Sequence, residues 1–514
     1  GRSYLGDVNP GRDANGQYYY EGILNYERKF DRHNVGITTV GIAQENLVTG
    51  GNSTSIYYTL PEKNLGISGR FTYDYDSRYF VDFSYGYNGS EKFTGSKQYG
   101  FFPALAFGWL VSNEKFFESY KNAISALKLK LSWGKGGNDA IAGREGRFFF
   151  LSDVSLGGGG YRWGNTFMNA YNGYTVSRYA NPNITWEVST KYNAGIELSL
   201  LKNEMIRLQM DVFKDVRDKI YMTRENFPSS AGLEAAISGN VGKVESQGLD
   251  ASIDVELQLN KDLWVTGRGN FTYAANKYVE LDERNYPDEY LKRKGHSISQ
   301  GWGLIAERLF VDQAEIDNSP RQDFGEYMAG DIKYKDVNGD GVVNSNDRVP
   351  MGFPTSPEIQ TGFGLSMGYK KVDLSFFFQG NARVSMFINP GTGDGIAPFV
   401  GNRNALPIIA KDYWSVTDPD PYSFWPRLST ETINNNTQQS SWWLRDVAFL
   451  RLKNVEIGYN FGLQKYKLQN CRLYVTGENL LVLSPFKLWD PEMGRNGIGY
   501  PPNRRFNFGI KLDF

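Results

Sequence analysis

The segment Asp336-Val337-Asn338-Gly339-Asp340-Gly341-Val342-Val343-Asn344-Ser345-Asn346-Asp347 carries the most specific local chemistry in the chain. Its residues match an EF-hand-type calcium loop at positions 1, 3, 5, 6, 9 and 12. Ca²⁺ takes six to eight oxygen ligands. This spacing wraps the side chains of Asp336, Asn338, Asp340, Asn344 and Asp347, with the Val342 carbonyl, around one centre. Gly341 permits the sharp turn. Asp347 stands where a bidentate Glu is usual, and no helical pattern flanks the loop. The expectation is a structural Ca²⁺ site without the opening motion of a sensor. The competing expectation is an Asn/Asp/Gly turn closed by its own side-chain hydrogen bonds.

A second set of candidates is aromatic. The stretch 381–448 contains Tyr413, Trp414, Tyr422, Phe424, Trp425, Trp442 and Trp443. Exposed rings there would stack on sugars or anchor a protein partner. Buried ones would pack the loop against itself, or line a membrane interface. Other motifs carry less. Gly301-Trp302-Gly303 lacks the βαβ context of a dinucleotide fingerprint, and the Gly157–Gly160 run, read as a flexible loop, is not followed by the Lys-Ser/Thr of a phosphate cradle. With only His33 and His296, and Cys471 as the lone cysteine, no catalytic constellation emerges, and an enzyme is not expected.

The elements that must position these residues follow from composition and periodicity. The 56 Lys+Arg balance 57 Asp+Glu, so a nucleic-acid partner is not expected. Mean hydropathy is −0.48. No stretch approaches the ~18 consecutive apolar residues of a membrane-spanning helix, but a membrane β-barrel needs none, because its strands show one face to lipid and the other to water. In Leu249–Leu259 the odd positions are Leu, Ala, Ile, Val, Leu and Leu, and the even ones Asp, Ser, Asp, Glu and Gln. Only a strand gathers those carboxylates on one face.

The same alternation runs through Leu127–Trp133, Ile206–Val212 and Arg505–Phe514. It returns in Tyr18–Phe30, Asn34–Gln44, Asn64–Tyr75, Tyr79–Tyr87, Phe101–Val111 and Thr190–Leu201. Further on it marks Leu263–Tyr273, Pro357–Tyr369, Val372–Gly380, Phe449–Phe461 and Arg472–Leu483. Aromatics gather near strand ends, as in Tyr73/Tyr75, Tyr85/Tyr87 and Trp133, which suits interfacial girdles.

The pattern predicts an all-β, transmembrane antiparallel barrel wall of about 15 strands. If Ile298–Val311 belongs to a further membrane pair, the count becomes about 17. Tight connections such as Asp31–His33 and Lys370–Lys371 belong on the periplasmic side, and long ones outside. The excursion 276–355, which holds the 336–347 loop, and the loop 381–448 are thus extracellular. Lipid contacts the apolar face.

Three blocks resemble the C-terminal half of SusC-like TonB-dependent transporters of Bacteroidetes-type bacteria. The first is LKLKLSWGKGGN (Leu127–Asn138), followed by NPNITW (Asn181–Trp186) and Tyr192–Leu198. The second begins at Gly330 with GDIKYKDVNGDGVVNSNDR and runs to Gly380. The third joins Trp443–Tyr459, Leu473–Leu480 and the closing Phe514. The resemblance implies a 22-stranded barrel with an N-terminal plug, a SusD-like surface lipoprotein as lid, and TonB acting on the plug. It implies import of oligosaccharides or peptides across the outer membrane. Residues 1–514 would then be the C-terminal barrel portion, without plug, TonB box or first strands, and those strands would be supplied by an N-terminal portion. The alternative is a structural or assembly component of an outer-membrane complex.

Overall fold

The computed structural model describes residues 14–49, 60–141, 147–391, 395–399, 404–463, 468–495 and 497–513. Phe514 lies outside them. The chain begins with β1 (Ala14–Phe30), β2 (His33–Thr49), β3 (Glu62–Tyr75), β4 (Tyr79–Ser90) and β5 (Tyr99–Leu110). It continues through β6 (Ile124–Asn138), β7 (Glu187–Leu200), β8 (Ile206–Thr223), β9 (Ser238–Gln258) and β10 (Leu263–Glu280). The last five are β11 (Ile359–Tyr369), β12 (Val372–Ala382), β13 (Phe449–Leu463), β14 (Leu468–Leu483) and β15 (Arg505–Asp513).

These follow one another in a 15-stranded sheet in sequence order. Among the described residues, β1 and β15 each have a sheet neighbour on one side only. Ile298–Val311 contributes nothing to this sheet. Its short strands Gly301–Gly303 and Ala306–Leu309 pair with Val349–Met351 and Ile332–Tyr334 instead. No helix among the described residues is long and apolar enough to cross a membrane.

Register is set by the turns. Phe30 pairs with His33 across Asp31-Arg32, and Tyr369 with Val372 across Lys370-Lys371. Asp31 and Lys370 hold these turns at φ 52° and 54°. A one-residue slip would exchange the two faces, so such tight closure decides which side is apolar.

By contact clustering the chain forms two compact units. The first comprises Gly1–Lys202, Asp211–Gln247 and Lys277–Asn285. On β3 and β4 within it, Leu65, Ile67, Phe71, Phe83 and Tyr87 are exposed, whereas Arg70 of the other face pairs with Asp82. Tyr87 stacks on Tyr99 at the long-loop end (centroids 5.3 Å), and Tyr75 on Tyr79 at the tight-turn end (6.3 Å). Aromatic residues thus mark both strand ends, as interfacial girdles do.

The Gly157–Gly160 run corrects an expectation. It lies in the strand Asp153–Trp163, paired with Asn169–Arg178, and is not an irregular loop. The strands approach so closely that a Cβ on Gly160 would sit 1.9 Å from the Tyr171 carbonyl oxygen. Phe93, Ile141, Phe149, Ile184 and Trp186 form a small core in the loops of this unit.

The second unit comprises Asn203–Met210, Gly248–Asn276 and Tyr286–Phe514. Its strands repeat the pattern. Phe506, Phe508, Ile510 and Leu512 of β15 are exposed, Phe508 at 80%. Ile457, Leu473 and Val475 of β13 and β14 are exposed as well. On the opposite face Arg472 pairs with Asp373 and lies 2.6 Å from Glu456, so one guanidinium links three strands. Such apolar exposure is costly in water and normal in lipid.

Candidate functional site

The two long excursions of the second unit fold together. Leu304, Leu309, Ile332, Tyr334 and Val343 of one share a buried core with Ile409, Trp414, Trp425 and Trp443 of the other. This corrects the exposed-aromatic expectation. Trp414, Trp425 and Trp443 are buried, and Tyr413 and Trp442 are partly buried against them. Trp443 Nε1 donates to the Asn436 carbonyl at 2.8 Å, and its ring lies 5.3 Å from that of Trp425. The buried rings hold the loops together, whereas Tyr422 of the same stretch is exposed.

A buried polar seam joins the same two excursions. Gln322 Nε2 donates to Asn435 Oδ1 (2.8 Å) and to the Ile332 carbonyl (2.9 Å), while its Oε1 accepts from Tyr334 N (2.6 Å). Asn436 Oδ1 accepts from Ile332 N at 2.9 Å, and its Nδ2 donates to Asp331 Oδ1 at 2.8 Å. Burial pushes the Asp331 carboxyl up, against the opposing pull of Met328 N–H, Arg427 and Asn436. Low dielectric makes such a network strong when complete and expensive when broken.

The 336–347 loop hangs from this seam. Asp336 Oδ1 accepts from Gly339 N (2.7 Å) and Oδ2 from Gly341 N (2.8 Å). Asp340 Oδ1 accepts from Val342 N, and Asn344 Oδ1 from Asn346 N, both at 2.8 Å. The fully buried Asp347 accepts from Val337 N (2.8 Å) and Asn344 N (2.7 Å). Gly341 takes φ +82°, as a sharp turn requires. The loop is therefore closed by side-chain to backbone bonds. Among the described residues no three His, Cys, Asp or Glu side chains are grouped to hold a metal. Asp336 and Asp340 each accept one hydrogen bond per oxygen and keep further lone pairs, whereas Asp347 Oδ1 accepts from both Val337 N and Asn338 N. The donor set is all oxygen, the chemistry Ca²⁺ prefers. Tyr290 OH donates to the Asn346 carbonyl. Burial, then the carboxylates of Asp288, Asp347, Asp336 and Asp340, push its phenol up.

The register of β10 to β13 builds a different site. Thr272 faces Gln360, which faces Asn381; Asn270 faces Gly362, which faces Gln379. These two rows lie on the polar face, opposite the exposed Phe271 and Phe363. Gly362 and Gly364 leave room for the Phe377 ring, whose atoms a Cβ at either position would meet at 3.0 and 2.9 Å. Above the rows the loops contribute Arg293, Gln300, Trp302, Arg348, Gln439 and Arg495, enclosing a cavity of about 1170 Å³. Arg451, 1% exposed at its edge, is neutralised by Asp490 Oδ1 and Glu492 Oε2, each at 2.5 Å. The cavity is lined by amides, guanidiniums and the rings of Trp302, Phe377, Phe387 and Phe449, a lining of mixed polar and apolar character.

In the first unit, the polar face forms a second cavity of about 1140 Å³ near the tight turns. Among its charges, Lys130 pairs with Glu197 (2.9 Å) and Asp211 (3.4 Å), and Arg70 with Asp82, while Lys128 lies over the Phe80 ring. His33 Nδ1 lies 2.7 Å from the Tyr73 hydroxyl, and the His296 ring packs edge-on against Trp302 at 5.3 Å.

Sequence reasoning does not single out Asn270, Gln360, Gln379, Asn381 or Arg348. The available signal is weak: polar residues at the wet positions of strands that enter the longest loops.

A sheet with a lipid-type exterior, a charged and amide-lined inner face and heavy loops at one end defines an outer-membrane β-barrel wall. Comparison with known proteins places it more closely. The family model for the TonB dependent receptor-like β-barrel matches residues 2–480, and the chain belongs to that family. TonB-dependent receptor P26 of Formosa agariphila is 28% identical over 479 residues, covering 87% of this chain and 46% of the relative. TonB-dependent receptor SusC of Bacteroides thetaiotaomicron is 26% identical over 467 residues, covering 87% and 43%. The chain spans about half the length of the curated relatives it matches. In fold it is similar to the solved RagAB peptide transporter, at TM-score 0.69 and 18% identity over 98% of this chain and 56% of that one. It is a TonB dependent receptor-like β-barrel of the outer-membrane type.

Proposed function

We propose that this chain forms the wall and extracellular roof of an energy-coupled importer of short polar oligomers, oligosaccharides or peptides. A SusD-like surface lipoprotein covers the loop end, and TonB acts through a plug that sits within the barrel. Further strands, which we assign with the plug to an N-terminal portion, complete the edges of β1 and β15 that have no sheet neighbour among the described residues, since unpaired edges are untenable in lipid. The observation that carries this reading is the cavity: its polar side chains converge at the loop end of the inner face, where a ligand from outside arrives first.

Ca²⁺ at Asp336, Asn338, Asp340, Val342, Asn344 and Asp347 is proposed as a stiffener of the roof. Its support is the oxygen-only spacing and the acidic field felt by Tyr290. The reading as a structural or assembly component differs in one outcome. Uptake of the nutrient that supports growth through this protein should stop when TonB is deleted, and should fall when Gln379→Leu removes a cavity amide. Growth indifferent to both changes, with normal insertion of the barrel, refutes the importer.

A further inference from the structure

We infer that the cavity of the second unit selects an acidic oligosaccharide, one whose rings carry carboxylates or sulfate esters. This rests on the importer reading and adds the charge and class of the ligand. Among the described residues that line the cavity, the cationic ones are Arg293, Arg348 and Arg495, and the lone carboxylate is Glu492. Glu492 does not offset Arg348 or Arg495, because it lies 2.5 Å from Arg451 Nε and 3.9 Å from Lys453 Nζ. Arg348 donates through Nη2 to the neutral Gln438 Oε1 at 2.8 Å. Neither Arg348 nor the exposed Arg495 forms an ion pair with a carboxylate among the described residues. A guanidinium carries five donors in a fixed fork and no acceptor, and oxyanions are the groups that match it bidentately.

The rest of the wall favours sugar over peptide. β10 pairs with β11, β11 with β12, and β12 with β13 without an unpaired edge in this stretch, so their backbone groups are consumed by the sheet. A peptide therefore cannot dock by adding a strand here, one of the recurring ways in which peptide backbone groups are satisfied. What the wall offers is side chains: amides of Asn270, Gln360, Gln379 and Asn381, which both donate and accept as hydroxyls require, and the Phe377 ring. Trp302 adds a second ring among the loop residues. Aromatic faces with convergent amides suit polyhydroxylated rings.

The test uses the intact transporter that contains this chain, purified in detergent. It is offered a pool of oligogalacturonates, sulfated chondroitin fragments, neutral maltooligosaccharides and mixed-sequence hexapeptides, and what stays bound is quantified by mass spectrometry. Acidic sugars should be enriched about tenfold over neutral ones at low salt. The enrichment should collapse in the Arg348→Gln/Arg495→Gln double variant and shrink as salt is raised. The galacturonate and chondroitin arms separate carboxylate from sulfate recognition. Arg495→Gln alone, at an exposed position, guards against misfolding and should lose part of the discrimination. Preferential retention of neutral sugars or peptides, or discrimination unchanged in the variants, overturns the inference. If nothing in the pool is retained while nutrient uptake still depends on TonB, the inference falls and the importer stands. If TonB-dependent uptake is also missing, the importer reading has failed.

Discussion

Replacing Asn436 by Leu removes two hydrogen bonds from the seam that joins the extracellular excursions while nearly conserving side-chain size. The Ile332 N–H loses its acceptor, Asn436 Oδ1 at 2.9 Å, and Asp331 Oδ1 loses the Asn436 Nδ2 donor at 2.8 Å. Ile332 and Asp331 are fully buried, so water does not replace either partner without opening the structure. An orphaned buried donor costs about 1–3 kcal/mol, and a lost bond to a charged group about 1.5–3 kcal/mol. Asp331 keeps Met328 N–H and Arg427, at 2.9 Å each, which limits the second term. With the second term limited in this way the sum is about 2.5–4 kcal/mol, or roughly a 10²- to 10³-fold rise in the population of the open roof. Native-state hydrogen exchange in detergent, followed on peptides spanning 328–336 and 434–445, reads that rise directly. Exchange in β13 and β14 should be unchanged. Asn434→Leu, at an exposed neighbouring position, serves as the control. Equal protection in Asn436→Leu and Asn434→Leu would refute the claim that this seam holds the roof.

Ile457→Arg places a charge at an exposed mid-strand position between Leu374 and Val475. It should destabilise the barrel by about 2–4 kcal/mol, seen as a lower temperature of heat modifiability; an unchanged transition would mean that this face does not meet lipid. Glu315 gives a pH dependence. Burial works to raise its carboxyl, but the Val311 N–H, Lys333 and Arg308 outweigh it and hold the group below the ordinary carboxylate range. Its stabilisation is therefore full above the ordinary carboxylate pKa and lost as pH falls through the lower folded value. Exchange at 306–317 should quicken below about pH 4, and Glu315→Gln should abolish that dependence. For the 336–347 loop, chelation should loosen exchange at 336–348, and Asp340→Ala should lower bound calcium measured by atomic emission. Identical calcium content in the variant removes the ion from the account.

The strands were legible because period-two alternation is local. In Leu249–Leu259 or Arg505–Asp513 the side chains of neighbouring residues alone decide which face is oily. All fifteen strands of the sheet coincide with segments read that way, and the turns at Asp31 and Lys370 announce themselves by length. The 336–347 turn was legible for the same reason, since its bonds join residues within one short segment.

What tertiary structure alone decided lies across long separations. Gln322 meets Asn435, a hundred and thirteen positions away, and no periodicity records that contact. The fate of Trp414, Trp425 and Trp443 follows from it. An aromatic residue in a long loop has the same sequence whether it is exposed or buried; the partner excursion folding against it makes it core. The cavity is likewise a product of register. Gln360, Gln379 and Asn381 become one amide surface only because the turn at Lys370-Lys371 aligns their strands and the loops bring Arg348 and Arg495 above them. Alternation is decided residue by residue, but convergence is decided by the chain returning to itself.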